Sequence, residues 1–334
     1  MAQLMRRVPP GVVLLALAPV LGELVSGHQS PAEFVNPLSF VVLSLPYGIG
    51  ALACRELVVR WRRGKPSLLL LGMAYGVYEE GIVVRSFFNP NWQELGALAD
   101  YGHAAGVNWT WALLLVHFHA LISIGASVVL VEILYPGRRG QAWLSSKVFV
   151  TCLAGLLLWA PVGTLLSSYH PPLGWYGLSW AAVIGLGFLA HRLPTPRLPP
   201  VRHKVPDPLV FFLLGLVNMS AFFFIVFLTA ESGEPPLAVT VIMLLLLDLG
   251  TLWIMLRWSQ NGHGWDDRHR LALFAGLLAF FIYFSIDQDI EKWQGSSLVG
   301  LATVVALWCE WRVVVRRFRL SEPEGPTVTE AGKR

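Results

Sequence analysis

Two adjacent carboxylates, Glu79 and Glu80, stand in the run Ser67–Phe88, SLLLLGMAYGVYEEGIVVRSFF, which has the length and apolarity of a membrane-spanning helix. Such a helix needs about 20 mostly apolar residues, and an acid near its middle costs about 2.5–3.5 kcal/mol on insertion scales. Intramembrane carboxylates are therefore functional by default. Two histidines, His117 and His119, occur in the next apolar run, Thr110–Tyr135. At a rise of about 1.5 Å per residue, His117 and the glutamates fall at about the same depth from the outer face. A buried Glu pair would share a proton, because like charges so close do not both ionise cheaply, and one member stays a base. A nearby imidazole can donate to negative charge developing on a carbonyl oxygen. Together these groups have the chemistry to hydrolyse a peptide or lipid carbonyl arriving from the bilayer.

Helical periodicity says where these groups point. Gly72, Gly76 and Glu80 repeat every four residues and share one face, and Gly-x-x-x-Gly lets another helix approach closely. Glu80 is thus expected to face a neighbouring helix. The second apolar run, thinned by Pro46, Gly48 and Gly50, is the expected packing partner. Glu79, about 100° round on the Tyr75 side, is expected to line an adjacent crevice. His117 and His119 are about 200° apart, so one serves the glutamates while the other bonds elsewhere. The structural alternative is a set of internally paired carboxyls and helix–helix hydrogen bonds.

Further candidates for substrate or proton binding are Arg85, Asn218 in the seventh run, and Asp248 in LLLLDLGTLW, where no histidine is expected at the same depth. Glu23 reads as a solvated carboxylate at the outer end of the first run. Arg55-Glu56 reads as a lipid-headgroup contact, and Glu310 with Arg312 as an interfacial ion pair. Three converging metal ligands are not visible, so neither metal nor cofactor is expected. Among motifs, no phosphate-binding glycine loop, HExxH or nucleophile elbow is present.

The elements that must position these residues are apolar helices. Hydrophobic residues make up 55% of the 334 and charged residues only 14%, against about a quarter charged in soluble proteins. The fold class is all-α, a polytopic helical membrane protein with about ten spans. They fall near 11–26, 38–54, 67–88, 109–135, 147–168, 174–190, 208–230, 236–257, 271–288 and 297–315. With both termini cytoplasmic, all of the 25 Lys and Arg except Arg85 and Lys292 lie inside, as the positive-inside rule demands. The net charge of +4 is thus topological and implies no nucleic-acid partner. The expected location is the plasma membrane of a prokaryote, among membrane lipids. The first run is expected to be an uncleaved span. A six-helix region, 1–190, carries the site. A basic, Pro-rich loop, 191–207, leads to a four-helix region, 208–320, and a disordered tail, 321–334. The outer segment 89–108 reads as a connecting loop, with enough Gly and Ala for a mobile flap.

AYGVYEEGIVVRSFF resembles the Glu-Glu-x-x-x-Arg motif of the CAAX-protease and bacteriocin-processing family of glutamate intramembrane proteases. His117 and His119 stand where that family has Phe-x-x-x-His. The resemblance implies Glu79 or Glu80 as general base and one histidine as oxyanion stabiliser. Here four residues separate Glu80 from Arg85, and Leu113 and Leu115 occupy the Phe positions. The amino-terminal half, through NPLSF, YGIGALACRE, GKPSLLLLGMAYGVYEEG and SFFNPNW, is also similar to uncharacterised prokaryotic membrane proteins. The leading expectation is an intramembrane hydrolase with a site in the outer half of the bilayer. The alternatives are a proton-coupled secondary transporter using the same carboxylates, and a non-catalytic scaffold or lipid-binding protein.

Overall fold

Ten principal helices follow one another among the described residues of the computed structural model, 8–194, 204–260 and 264–321. They are α1 (Pro10–Val25), α2 (Pro37–Arg60), α3 (Lys65–Val77, continued by Tyr78–Val83), α4 (Trp109–Leu134) and α5 (Ser146–Leu166). Then come α6 (Leu173–Arg192), α7 (Pro208–Ser232), α8 (Leu237–Trp258), α9 (Asp267–Glu291) and α10 (Ser296–Ser321). Eight are long and apolar enough to cross a membrane; α1 is shorter, and α3 carries the glutamate pair. The chain is an all-α multi-pass membrane protein in contact with lipid. Part of the 191–207 loop and nearly all of the 321–334 tail lie outside the described residues.

The most enclosed span is α4, with 89% of its apolar window buried, against 11% for α6 and α8. Small residues make this possible. A Cβ on Gly72 would stand 2.8 Å from Ala120 Cα, and one on Gly76 3.1 Å from Val116 Cα. The Gly72/Gly76 face therefore packs on α4, not on α2 as the sequence led us to expect. Instead α2 meets α3 through Gly50, which lies under the Tyr75 ring. On the far side, α7 and α9 approach backbone to backbone at Gly215 and Gly276. One apolar cluster joins Leu21, Phe118, Ile122 and Val129 to Met219, Leu277 and Phe281, so residues from both halves of the chain share a core.

Helix α3 stops earlier than its apolar run. It ends at Val83–Val84, and Arg85 takes a left-handed conformation (φ 67°), a position usually left to glycine. The following segment folds over the helix ends as a packed cap rather than a flap. Phe87, Phe88, Leu95, Leu98 and Val107 are buried against Trp111 and Leu114, and a short hairpin pairs β1 (His103–Ala104) with β2 (Val107–Asn108). Asn108 is fully buried and donates to the Leu98 and Tyr101 carbonyls, so its amide is internal rather than a surface acceptor. Trp111 is buried as well.

At the basic end, Arg55 is not a lipid contact. It is 1% exposed and reaches Glu56 at 2.9 Å, Glu132 at 3.7 Å and the Arg139 carbonyl at 2.7 Å. Its guanidinium lies 3.6 Å over the Trp143 ring. Glu56 also accepts from Arg60 and the Trp143 N–H, and Lys65 reaches Glu132. Glu310 and Arg312 form no ion pair: two residues apart on a helix they point different ways, and Arg312 instead lies over Trp308.

Asp266 caps α9, accepting from the Arg268 N–H at 2.8 Å and lying 2.9 Å from His269 Nδ1. Burial raises its pKa, but hydrogen bonds from His269 and Arg268 outweigh that and hold the carboxyl well below the usual carboxylate range. A depressed folded value stabilises the fold above the unfolded value, about 4, and that stability is lost as pH falls through the folded one. Asp266→Ala is expected to cost about 0.5–2 kcal/mol at neutral pH. In melting curves recorded in detergent, the gap from wild type should narrow below about pH 4.

Candidate functional site

Glu79, Glu80 and His119 meet in the bundle, all three buried. His119 Nε2 lies 3.2 Å from Glu79 Oε2 and 3.3 Å from Glu80 Oε1. The Ser86 hydroxyl donates to the other oxygen of Glu80, Oε2. The imidazole is 1% exposed and packed among aromatic rings, with centroids 5.9 Å from Tyr47, 5.5 Å from Tyr75 and 5.4 Å from Phe118. One donor atom from each of Glu79, Glu80 and His119 falls within 4.8 Å of the others, so these residues could hold a metal ion.

Each helix that supplies this neighbourhood departs locally from α geometry. π turns occupy Val20–Val25 in α1, Ser44–Gly48 in α2, Tyr78–Val83 in α3 and His119–Ala126 in α4. They carry Glu23, Tyr47, the glutamate pair and His119. Such turns are rare and concentrate at functional sites, because the extra residue re-aims side chains. Proline contributes to two of them: Pro19 immediately precedes the first and Pro46 lies within the second, each removing a backbone donor. Glycine supplies room. A Cβ on Gly22 would lie 2.6 Å from the Tyr47 ring, and one on Gly50 2.2 Å from that of Tyr75.

A cavity of about 420 Å³ adjoins the cluster on the face that the charge pattern places outside. Glu79, Glu23 and Tyr47 are in its wall, with Val42, Pro46, Val83, Trp159 and Leu166 among the apolar lining. Glu23, Tyr47 and Glu79 share this polar side of the wall. α5 packs on the basic half of α2, Ile49–Arg60, whereas no residue of the outer segment Pro37–Leu43 is buried. The cavity is thus flanked by apolar side chains, including exposed Val42 and Leu166, that face the bilayer.

Of the residues singled out in the sequence, Glu79, Glu80 and His119 converge. His117 turns to the opposite side of α4. Its Nδ1 lies 3.1 Å from Asp248 Oδ2, and its ring stacks 3.9 Å from Phe222. Asn218 donates to Asp248 and to Thr251, both at 3.3 Å. Asp248 therefore does have a histidine at its level, and its side chain remains 39% exposed on the outside of the bundle. Arg85 joins neither cluster. Its guanidinium donates to the Ile82 and Tyr169 carbonyls, His170 Nδ1 and Thr164, tying the end of α3 to that of α5. Glu23, Tyr47 and Ser86 were not legible as site residues. For Glu23 the signal was there, a carboxylate in an apolar run, but its nearness to the outer end offered a cheaper reading.

A family model described as an uncharacterized membrane protein family matches residues 12–190, more than half of the chain. The chain belongs to that family. The uncharacterized membrane protein family's matched region covers α1 to α6 except the first residues of α1 and the last of α6, with the whole Glu79/Glu80/His119 cluster and its cavity. Asn218 and Asp248 lie outside it. No curated protein and no solved structure matches the chain. The similarity to glutamate intramembrane proteases drawn from the Glu-Glu and His motifs finds no support in these comparisons.

Proposed function

We propose that the protein is a membrane-embedded hydrolase acting on a peptide or lipid carbonyl that enters its cavity from the outer leaflet. One observation carries this reading: a buried cluster of two carboxylates and an imidazole reaches, through Glu79, the wall of a cavity flanked by exposed apolar side chains. A water in the cavity adds its oxygen to the carbonyl carbon and gives its proton to Glu79. His119 stabilises the negative charge formed as the carbonyl opens. When the tetrahedral species collapses, the bond to the leaving amine or alcohol breaks and the proton moves onto that group. Glu80, oriented by Ser86, fixes the imidazole. The expected location is the prokaryotic plasma membrane, where both substrate types are present.

The test is reconstitution into liposomes carrying ester-linked phospholipids and a synthetic transmembrane peptide, with products read by mass spectrometry. Wild type is expected to release cleavage products. His119→Ala and Glu79→Gln should lower the rate by about 10²–10⁴-fold, the usual contribution of acid–base catalysis. Equal rates in all three proteins would exclude the reading. The pairing of a partly exposed Asp248 with a buried His117 favours proton-coupled transport as the second reading. That reading requires Asp248→Asn, and not Glu79→Gln alone, to abolish proton uptake into the same liposomes.

A further inference from the structure

We infer that Glu79, Glu80 and His119 form a binding site for a divalent transition-metal cation, best matched by zinc. The first argument is geometric. Zinc bonds to His nitrogen and carboxylate oxygen at about 2.0–2.2 Å, which in a tetrahedron places ligand atoms about 3.3–3.5 Å apart. His119 Nε2 stands 3.2 Å from Glu79 Oε2 and 3.3 Å from Glu80 Oε1. Two of the three edges of such a polyhedron are thus already in place, and the third pair of ligand atoms lies within 4.8 Å.

The second argument concerns unmet bonding. An imidazole Nε2 carries one hydrogen and cannot serve two carboxylates at once. It is hydrogen-bonded to Glu80 Oε1, and Glu79 Oε2 is left buried without a hydrogen-bond partner. A polar group enclosed in this way is costly, and a carboxylate more so. A cation between the three atoms satisfies all of them together. Nε2 then binds through its lone pair, and the proton resides on Nδ1, which has no other partner.

The third argument is charge. Two carboxylates face each other here, and the nearest arginine in sequence, Arg85, is committed elsewhere. One dication with two carboxylates and a neutral imidazole makes a neutral assembly, which a low-dielectric interior tolerates. The Ser86 hydroxyl holds Glu80 Oε2 and leaves Oε1 free for the metal, as outer-shell partners of metal ligands do. Three protein ligands leave a fourth position for water, the arrangement of catalytic rather than structural zinc. With the ion activating that water, Glu23, across Tyr47 on the same cavity wall, becomes the proton acceptor.

This inference uses the residues of the hydrolytic reading, but metal content is measurable without turnover. Full-length protein in detergent is loaded with zinc, desalted and analysed by elemental mass spectrometry. Wild type should retain about one zinc per chain, as expected of a three-ligand site. Glu79→Gln and His119→Gln should lose it, while His117→Gln, outside the cluster, keeps it. Ser86→Ala should weaken affinity by about 10–100-fold. A wild type that retains no zinc, or cluster variants that retain as much as wild type, overturns the inference. Should the variants fail to fold, cobalt loading of wild type decides. The intense visible absorption of tetrahedral cobalt supports the site, and its absence removes it. A zinc-loaded protein that cleaves nothing retires the hydrolase alone, and a chain that cleaves but retains no zinc retires the metal alone.

Discussion

Gly276→Val is expected to leave little folded protein. The α7–α9 crossing brings backbone against backbone: a Cβ at position 276 would sit 1.9 Å from the Phe212 carbonyl oxygen. Opposite it, a Cβ at Gly215 would lie 2.3 Å from the Leu273 carbonyl oxygen. No rotamer relieves a clash with main chain, so the helices must separate by more than 1 Å, on the order of a van der Waals gap that forfeits much of the contact. Overpacking a well-filled core costs about 1–3 kcal/mol, and a backbone clash between two long helices belongs beyond that range. Separation would also open the apolar cluster that Met219, Leu277 and Phe281 share with α4. Fluorescence-detected size exclusion after heating should show Gly276→Val aggregated at temperatures where wild type elutes as a single peak. Gly250→Ala on α8 is the internal control, since no atom lies within 4 Å of its added Cβ. It should equal wild type or exceed it by about 0.5–1 kcal/mol, the helix cost of glycine. Similar behaviour of the two variants would mean that close approach at Gly276 does not hold α7 and α9 together.

The second large effect is at Arg55. Removing one member of a buried ion pair costs about 3–5 kcal/mol, because the partner charge stays behind. Here Arg55→Leu leaves the fully buried Glu56 with only Arg60 and the Trp143 N–H, and Glu132 with Lys65 alone. It also removes the donor that holds the Arg138 and Arg139 carbonyls and the cation over Trp143. Arg55→Lys should recover only part of the loss, since an ammonium cannot serve two carbonyls and a carboxylate in one plane. Denaturant titration of the two variants in mild detergent measures the difference. An unchanged midpoint for Arg55→Leu would show that the network contributes nothing net.

The membrane class and the helix order were open to reading because they depend on bulk properties: long apolar runs, and arginines gathered at alternate ends. The meeting of Glu79, Glu80 and His119 was approachable for a different reason. Depth and helical phase are local counts, and they put acids and imidazoles at one level. What stayed hidden depended on partners. Whether His117 or His119 turns to the glutamates is set by which helix Gly72 and Gly76 admit, and that helix proved to be α4 rather than α2. Arg55 read as a headgroup contact because nothing near it in the chain reveals Glu132 and the Arg139 carbonyl, which fold back over it. Arg85 read as a residue for substrate or proton binding. The left-handed turn at its own backbone sends its side chain toward α5 instead.

The π turns around the cluster carry a consequence for how this chain tolerates insertions and deletions. Each wide turn contains one residue more than the α turn it replaces. Excising a single residue from 119–126 would let α4 close into regular α geometry, with the segments on either side keeping nearly the same phase but the side chains of the turn itself re-aimed. His119 would then leave its place beside the glutamates, although no side chain had been substituted. Length, as much as residue identity, is fixed in these four stretches.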